Sequence, residues 1–202
     1  MSSLPVREKK AQIWERDELD WYVEPTEATE ALLRVERFVD AVWDPACGGG
    51  NICNTFDARG FIVRGTDIVR RIDGKPWWKG ELDFYSATHT KAPNIVCNPP
   101  FFRAKGAEAF IRKALTLATG KVAMFLDVRF IAGAERANGL FADHPPHRIW
   151  IVTPRVSCPP GSYLAAGNKA GNGSSDWCWL VWDQTAPRPA FPQLGWLRKE
   201  AT

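Results

Sequence analysis

The sequence lacks any long hydrophobic run: nowhere do about 18 apolar residues follow one another, so no membrane-spanning helix is expected. It lacks cysteines at zinc-binding or disulfide-framework spacing. Five occur, at 47, 53, 97, 158 and 178, an odd number with no C-x-x-C, and they are expected to be reduced, mostly buried small side chains. Residues 1–10 are polar and carry no apolar core of an export signal, which points to a cytoplasmic protein. Neither sign of charge is in excess: 26 Lys and Arg against 23 Asp and Glu leave +3, a balance that permits a nucleic-acid partner without demanding one. No internal repeat is evident. What remains is a globular composition, 45% apolar and 24% charged, which excludes disorder of the whole chain. The length of 202 residues suits one domain. Of the ten tryptophans, most are expected in the core or in surface grooves, with few free to stack on bases.

Short apolar runs alternate with amphipathic stretches. The runs at 39–43, 61–66, 94–97, 122–126, 148–152 and 177–182 predict strands. Helical spacing predicts helices over 26–38, with Thr26 as N-cap, over 104–118, stopped by Gly120, and more weakly over 130–141. Such alternation predicts an α/β fold, a mostly parallel sheet covered on both faces. A helix is expected within 5–20, inside an N-terminal extension of residues 1–20. The stretch 159–175 is rich in Gly, Asn, Ser and Ala and predicts a mobile loop; the proline-bearing tail 184–202 is expected to run extended over the surface.

Four features carry chemistry. Residues 44–51 read Asp44, Pro45, Ala46, Cys47, three glycines (Gly48, Gly49, Gly50) and Asn51, where a strand ends and a helix should begin. Ligands of open parallel sheets bind at carboxyl strand ends, and glycines there let the backbone approach them; a tight turn needing positive φ is the plainer alternative. The turn does not complete G-x-G-x-x-G, since Cys53 stands at the last position, which weighs against a dinucleotide oxidoreductase. Asp67 ends the next strand and can accept both hydroxyls of a ribose, or serve as a helix cap. Asp83 can accept from an adenine amino group with Phe84 covering the ring, although Phe84 suits the core equally well. Asn98-Pro99-Pro100-Phe101 follows directly on the strand at 94–97. The two prolines stiffen the backbone and remove donors, Asn98 adds an acceptor, and Phe101 offers a flat face, so the segment suits the two hydrogens of an –NH2 group on a planar ring.

In this order, DPACGGG, the strand-ending Asp67, Asp83-Phe84 and NPPF resemble the amino methyltransferases of the class I fold, most closely the small phage-type N6-adenine DNA methyltransferases. The resemblance spans roughly residues 20–183. It implies a Rossmann-like three-layer sandwich, a single methyltransferase domain over 1–202, with a mostly parallel seven-stranded sheet and a C-terminal antiparallel strand at 177–182. It implies S-adenosylmethionine as cofactor: Asp44 and the turn from Ala46 to Gly50 on its methionine portion, Asp67 on the ribose, Ile68 packing on the adenine, Asp83 on the adenine amino group. The segment Tyr22-Val23-Glu24-Pro25 would close over the methionine end, with Tyr22 and Pro25 as its cofactor contacts, and Asn98, Pro99, Pro100 and Phe101 would handle the target base.

The implied reaction is direct in-line methyl transfer to N6 of adenine in DNA, after the base is flipped from the duplex. It needs no metal and no covalent enzyme intermediate. Arg103, Lys105, Arg155 and Lys169 would contact phosphates, or remain solvated surface charges. With no room for a separate recognition domain, short or relaxed sequence specificity is expected. Phe101, where Tyr is the alternative, suits RNA as well as DNA. The remaining alternatives are an RNA base amine, a protein glutamine amide and a catalytically silent cofactor-binding subunit. Oligomeric state is left open.

Overall fold

The computed structural model describes residues 17–171, 173 and 175–198, Arg103 by its backbone alone. The elements in chain order are α1 (Thr26–Val35), β1 (Val42–Asp44), α2 (Asn51–Ala58), β2 (Val63–Asp67), β3 (Trp78–Glu81), β4 (Asn94–Cys97), α3 (Lys105–Leu117), β5 (Lys121–Asp127), α4 (Ala134–Asn138), α5 (Leu140–Asp143), β6 (Arg148–Val152), α6 (Gly161–Ala165), β7 (Trp177–Asp183) and β8 (Gln193–Leu197).

One sheet runs in the order β3-β2-β1-β4-β5-β7-β6-β8. Among these strands only β7 is antiparallel to its neighbours, β5 and β6. The strand order reverses between β1 and β4, and a crevice opens there at the carboxyl ends of the strands.

Side-chain alternation along the central strands explains the three layers. Trp43, Ile95, Cys97, Val122, Met124 and Leu126 point to one face, where Phe110, Ile111 and Ala114 of α3 cover them. Val42, Val96, Ala123 and Phe125 point to the other, against Ala28 and Leu32 of α1 and Ile52, Cys53 and Phe56 of α2. With both faces covered, β1 and β4 are buried throughout, Asp44 and Asn94 included.

Several elements depart from the sequence expectations. The sheet has eight strands rather than seven, because the expected surface tail supplies β8, paired in parallel with β6. Gly195 permits that pairing: a Cβ there would lie 2.3 Å from the Trp150 ring. The edge strand β3 was not expected. Helix α1 stops at Val35 instead of 38, and Pro25 rather than Thr26 takes the N-cap position. Glu36 leaves the helix because its buried carboxylate is claimed by Lys121 Nζ at 2.6 Å, the Arg148 guanidinium and Trp150 Nε1 at 2.9 Å. The helix expected over 130–141 is split into a 3-10 turn (Val128–Ala132), α4 and α5, with breaks at Gly133 and Gly139. The stretch 159–175 contains the short helix α6. The helix expected within 5–20 lies outside the described residues up to 16, and 18–19 form a turn. Among the described residues no helix is long and apolar enough to cross a membrane.

Candidate functional site

Two cavities meet at the carboxyl ends of β1, β2 and β4. The smaller, about 160 Å³, is bounded by Asp44, Pro45, Ala46, Cys47, Gly48, Gly49 and Asn51 of the glycine turn. Asp67 and Ile68 after β2, Asp83 and Phe84, and Pro100 complete its walls, with Trp21, Tyr22 and Glu24 from the segment before α1. Two expected residues do not border it: Pro25 caps α1, and Gly50 faces the Trp77 ring, 2.4 Å from where its Cβ would stand. Gly48 and Gly50 adopt φ of 51° and 85°, so the turn uses the left-handed conformation that glycine tolerates.

Asp67 is fully engaged. Its Oδ2 accepts from Gly48 N at 2.8 Å, and its Oδ1 from Val69 N at 3.1 Å and Arg71 Nη1 at 2.8 Å. The Arg71 guanidinium also lies over the Trp21 ring, 4.7 Å from its centroid. Trp21 in turn seats against two glycines: a Cβ would fall 2.7 Å from its ring at Gly48 and 2.1 Å at Gly161. Asp83 caps a 3-10 turn by accepting from Tyr85 N at 3.0 Å. Phe84 is both a wall and a core residue, 4% exposed and edge-on to Trp43.

The larger cavity, about 600 Å³, is bordered by Asn98, Pro99 and Phe101 on one side. Asp127, Arg129, Phe130 and Arg136 from the end of β5 and beyond also border it, as do Ser157, Cys158 and Trp177. Asn98 borders both cavities. Its Nδ2 donates to Tyr22 O and to Glu24 Oε2, both at 2.9 Å, and lies 3.8 Å from Cys158 Sγ. With the amide nitrogen tied back, its oxygen is the group left to accept from a ligand.

Two carboxylates give the smaller cavity its electrostatic character. Glu24, 7% exposed, is pushed up from the ordinary 4.5 to about 7, first by burial, with the hydrogen bonds from Asn98 and from backbone N–H groups pulling the other way. Asp44, 2% exposed, is raised well above its ordinary value by burial and then by the negative charge of Glu24. Among the described residues no Lys or Arg is paired with either one. Holding both acids ionised in so buried a place would cost several kcal/mol by order of magnitude, and a cationic ligand would offset that.

The nucleic-acid candidates are not gathered at the cavities. Lys105 and Lys169 are exposed and border neither. Arg155 is paired with Asp176 at 2.6 Å. Of Arg103 only the backbone is described, so its side chain lies outside the described residues. The arginines that do border the larger cavity, Arg129 and Arg136, were not expected; Arg136 lies 4.5 Å over the Phe130 ring. Nor were Asp127, Ser157 and Trp177; Glu24 lies in the expected closing segment 22–25 but was not singled out. Asp127 ends β5 as Asp44 ends β1 and Asp67 ends β2, so the strand-end acid was a readable signal. Ser157 and Trp177 carry none in sequence.

No protein-family model matches the chain, and a search of the curated proteins finds no match. Solved structures do match. A Pyrococcus horikoshii protein assigned as an RNA methyltransferase superposes with TM-score 0.60 at 14% identity, over 87% of this chain and 90% of that one. A Listeria monocytogenes protein assigned as a class I S-adenosylmethionine-dependent methyltransferase gives 0.55 at 13% identity, over 85% of this chain. A Vibrio vulnificus protein assigned as a modification subunit of a type I restriction enzyme gives 0.54 at 13%, over 82% of this chain. The chain spans 62% of the Listeria protein and 45% of the Vibrio subunit. The fold of this chain is that of the class I S-adenosylmethionine-dependent methyltransferases.

Proposed function

We propose that the chain methylates an exocyclic amino group with S-adenosylmethionine, and that N6 of adenine in DNA is the leading substrate. The observation that carries this reading is the place of Asn98, which borders both cavities with its amide nitrogen fixed and its oxygen left as an acceptor.

The residues present fit the cofactor chemically. Glu24 and Asp44 are buried acids that no described Lys or Arg pairs with, and a sulfonium and an ammonium would favour their ionised forms. Asp67 can turn to ribose hydroxyls once Arg71 gives way, and Ile68, 59% exposed, offers an apolar surface to a purine. Room is the constraint: about 160 Å³ is below the roughly 300–1,000 Å³ of ordinary ligand pockets, so Trp21 and Arg71 must shift on binding. When bound, the cofactor supplies an electrophilic methyl group.

The chain supplies position and polarity. An aromatic amine is a poor nucleophile because its lone pair is delocalised into the ring. Asn98 Oδ1 and the Pro99 carbonyl accept its two hydrogens, favour a pyramidal nitrogen and localise that pair. Holding the amine in line supplies much of the acceleration, and acceptors facing the developing positive charge supply more. A duplex base must first leave the stack, at a cost of a few kcal/mol.

The test is incubation with methyl-labelled cofactor and DNA, RNA or protein, followed by mass analysis of the products. N6-methyladenine in DNA is the expected result. Label confined to RNA or to protein would overturn the choice of DNA, and cofactor binding without transfer to any of the three would mark a silent subunit. Asp67→Ala should weaken cofactor affinity roughly tenfold to a hundredfold in a calorimetric titration, the worth of hydrogen bonds to a charged group. An unchanged affinity would remove Asp67 from the site.

A further inference from the structure

Arg129 and Arg136 both border the larger cavity, but only Arg129 has its charge answered within the protein. Arg129 Nη2 donates to Asp127 Oδ2 at 2.6 Å and its Nε to Asp127 Oδ1 at 2.9 Å. Among the described residues no carboxylate is paired with Arg136. The cavity's other carboxylate, Asp20, accepts from Phe102 N at 2.5 Å. Arg136 is nevertheless held in place. It is half-buried, its Nε donates to Phe130 O at 2.7 Å, and its guanidinium carbon lies 4.5 Å from the centroid of the Phe130 ring. Gly133 leaves it room, since a Cβ there would stand 2.1 Å from Arg136 Nη2. The Phe130 ring in turn meets Phe101 edge-on, with centroids 5.9 Å apart. All three residues border the cavity, so the guanidinium is one aromatic ring removed from the residue proposed to take the target base.

The chemistry of this group restricts the ligand. A guanidinium has five N–H donors and no acceptor, and the bond to Phe130 O uses one of them. Among the described residues no protein group accepts from Nη1 or Nη2. A fixed fork without a counter-charge suits an oxyanion, whose two oxygens it meets in parallel. A target base brings such an anion with it: its sugar stays joined to a phosphodiester on each side when the base leaves the stack. The cations first considered for this task do not reach the cavity, since Lys105 and Lys169 border it nowhere and Arg155 is held by Asp176.

We propose that Arg136, through Nη1 and Nη2, binds a backbone phosphate of the DNA strand beside the target nucleotide and so anchors the strand while the base occupies the cavity. This rests on the proposed methylation of a nucleic-acid base and goes further, because it names the group that grips the strand. A phosphate contact fixes register and orientation and reads no sequence.

The experiment measures binding of fluorescent DNA duplexes of random sequence, and of RNA of the same length, as salt is raised from about 50 to about 200 mM. It needs no knowledge of the target sequence. Arg136→Ala should weaken DNA binding roughly tenfold at the lowest salt and lower the slope of log affinity against log salt by about 1, alike on every sequence. Cofactor affinity should stay as it is. Arg136→Lys keeps the charge and loses the fork, so it should keep the slope and lose part of the affinity. A variant that had merely loosened the protein would lose binding-competent molecules with the slope unchanged. Arg136→Gln, which keeps a donor for Phe130 O, gives the same reading should the alanine variant fail to fold. An unchanged slope in the variants that remove the charge overturns this inference alone. A change of slope on RNA with none on DNA overturns DNA as the source of the phosphate. Binding with the expected slopes but no methyl transfer to any nucleic acid overturns the proposed activity alone, and absence of both binding and transfer overturns the two together.

Discussion

Replacing Asn98 by alanine is expected to lower kcat roughly 10²–10³-fold, the usual effect of removing one oriented polar group from a site that stabilises charge. Cofactor affinity should change far less. The side chain's donors go to Tyr22 O and Glu24, which are protein groups, and only its oxygen faces the proposed substrate. Single-turnover methylation and a cofactor titration on the same preparation separate the two quantities. Near-normal turnover would sink the mechanism. Loss of cofactor binding in equal measure would show that Asn98 serves to build the smaller cavity instead.

Replacing Glu24 by glutamine is expected to stabilise the protein while impairing it. In the folded chain the carboxyl is raised from 4.5 to about 7, so the folded state holds this proton more tightly than the unfolded one. Stability from this group is therefore fully present below pH 4.5 and falls as pH rises through 7. At pH 8 the charged form costs about 3 kcal/mol by order of magnitude. Glutamine removes that cost and can still accept from Asn98, so its melting temperature should exceed that of the unaltered protein at pH 8, and the difference should vanish below pH 4.5. Binding should go the other way. The charge that destabilises the empty cavity is the charge a sulfonium needs, so the variant should bind S-adenosylmethionine more weakly at pH 8, by about tenfold or more. The neutral thioether product should be less affected. A variant no more stable at pH 8 would show that Glu24 is not a strained acid.

The strands at 94–97 and 148–152 were legible to the residue because apolar runs there are bounded by polar or proline positions. Helix α1 was overrun because its stop is a long-range event: Glu36 is drawn out by Lys121 and Arg148, residues far along the chain. Strand β8 was hidden because its partner β6 lies some forty positions upstream and its glycine makes sense only against Trp150. At the site, Asp44, Asp67 and Asn98 could be picked out because each ends or follows a strand, where open sheets place ligands. Glu24, Ser157 and Trp177 could not. Glu24 is marked by burial and Ser157 and Trp177 by polar atoms without a partner, both of which only assembled neighbours reveal.

The segment carrying Trp21 is laced to residues 159–161. Gly161 N donates to Trp21 O at 2.8 Å, Val23 N donates to Pro159 O at 2.9 Å, and Tyr22 bridges Pro160. Those residues continue directly from Ser157 and Cys158. A shift of the backbone carrying Trp21 would be expected to displace residues 159–161 and with them the wall of the neighbouring chamber. Coupling of this kind is thermodynamically mutual: whatever factor the first ligand imposes on the second, the second returns. The segment before α1, residues 157–161 and Asn98 thus join the walls of the two chambers.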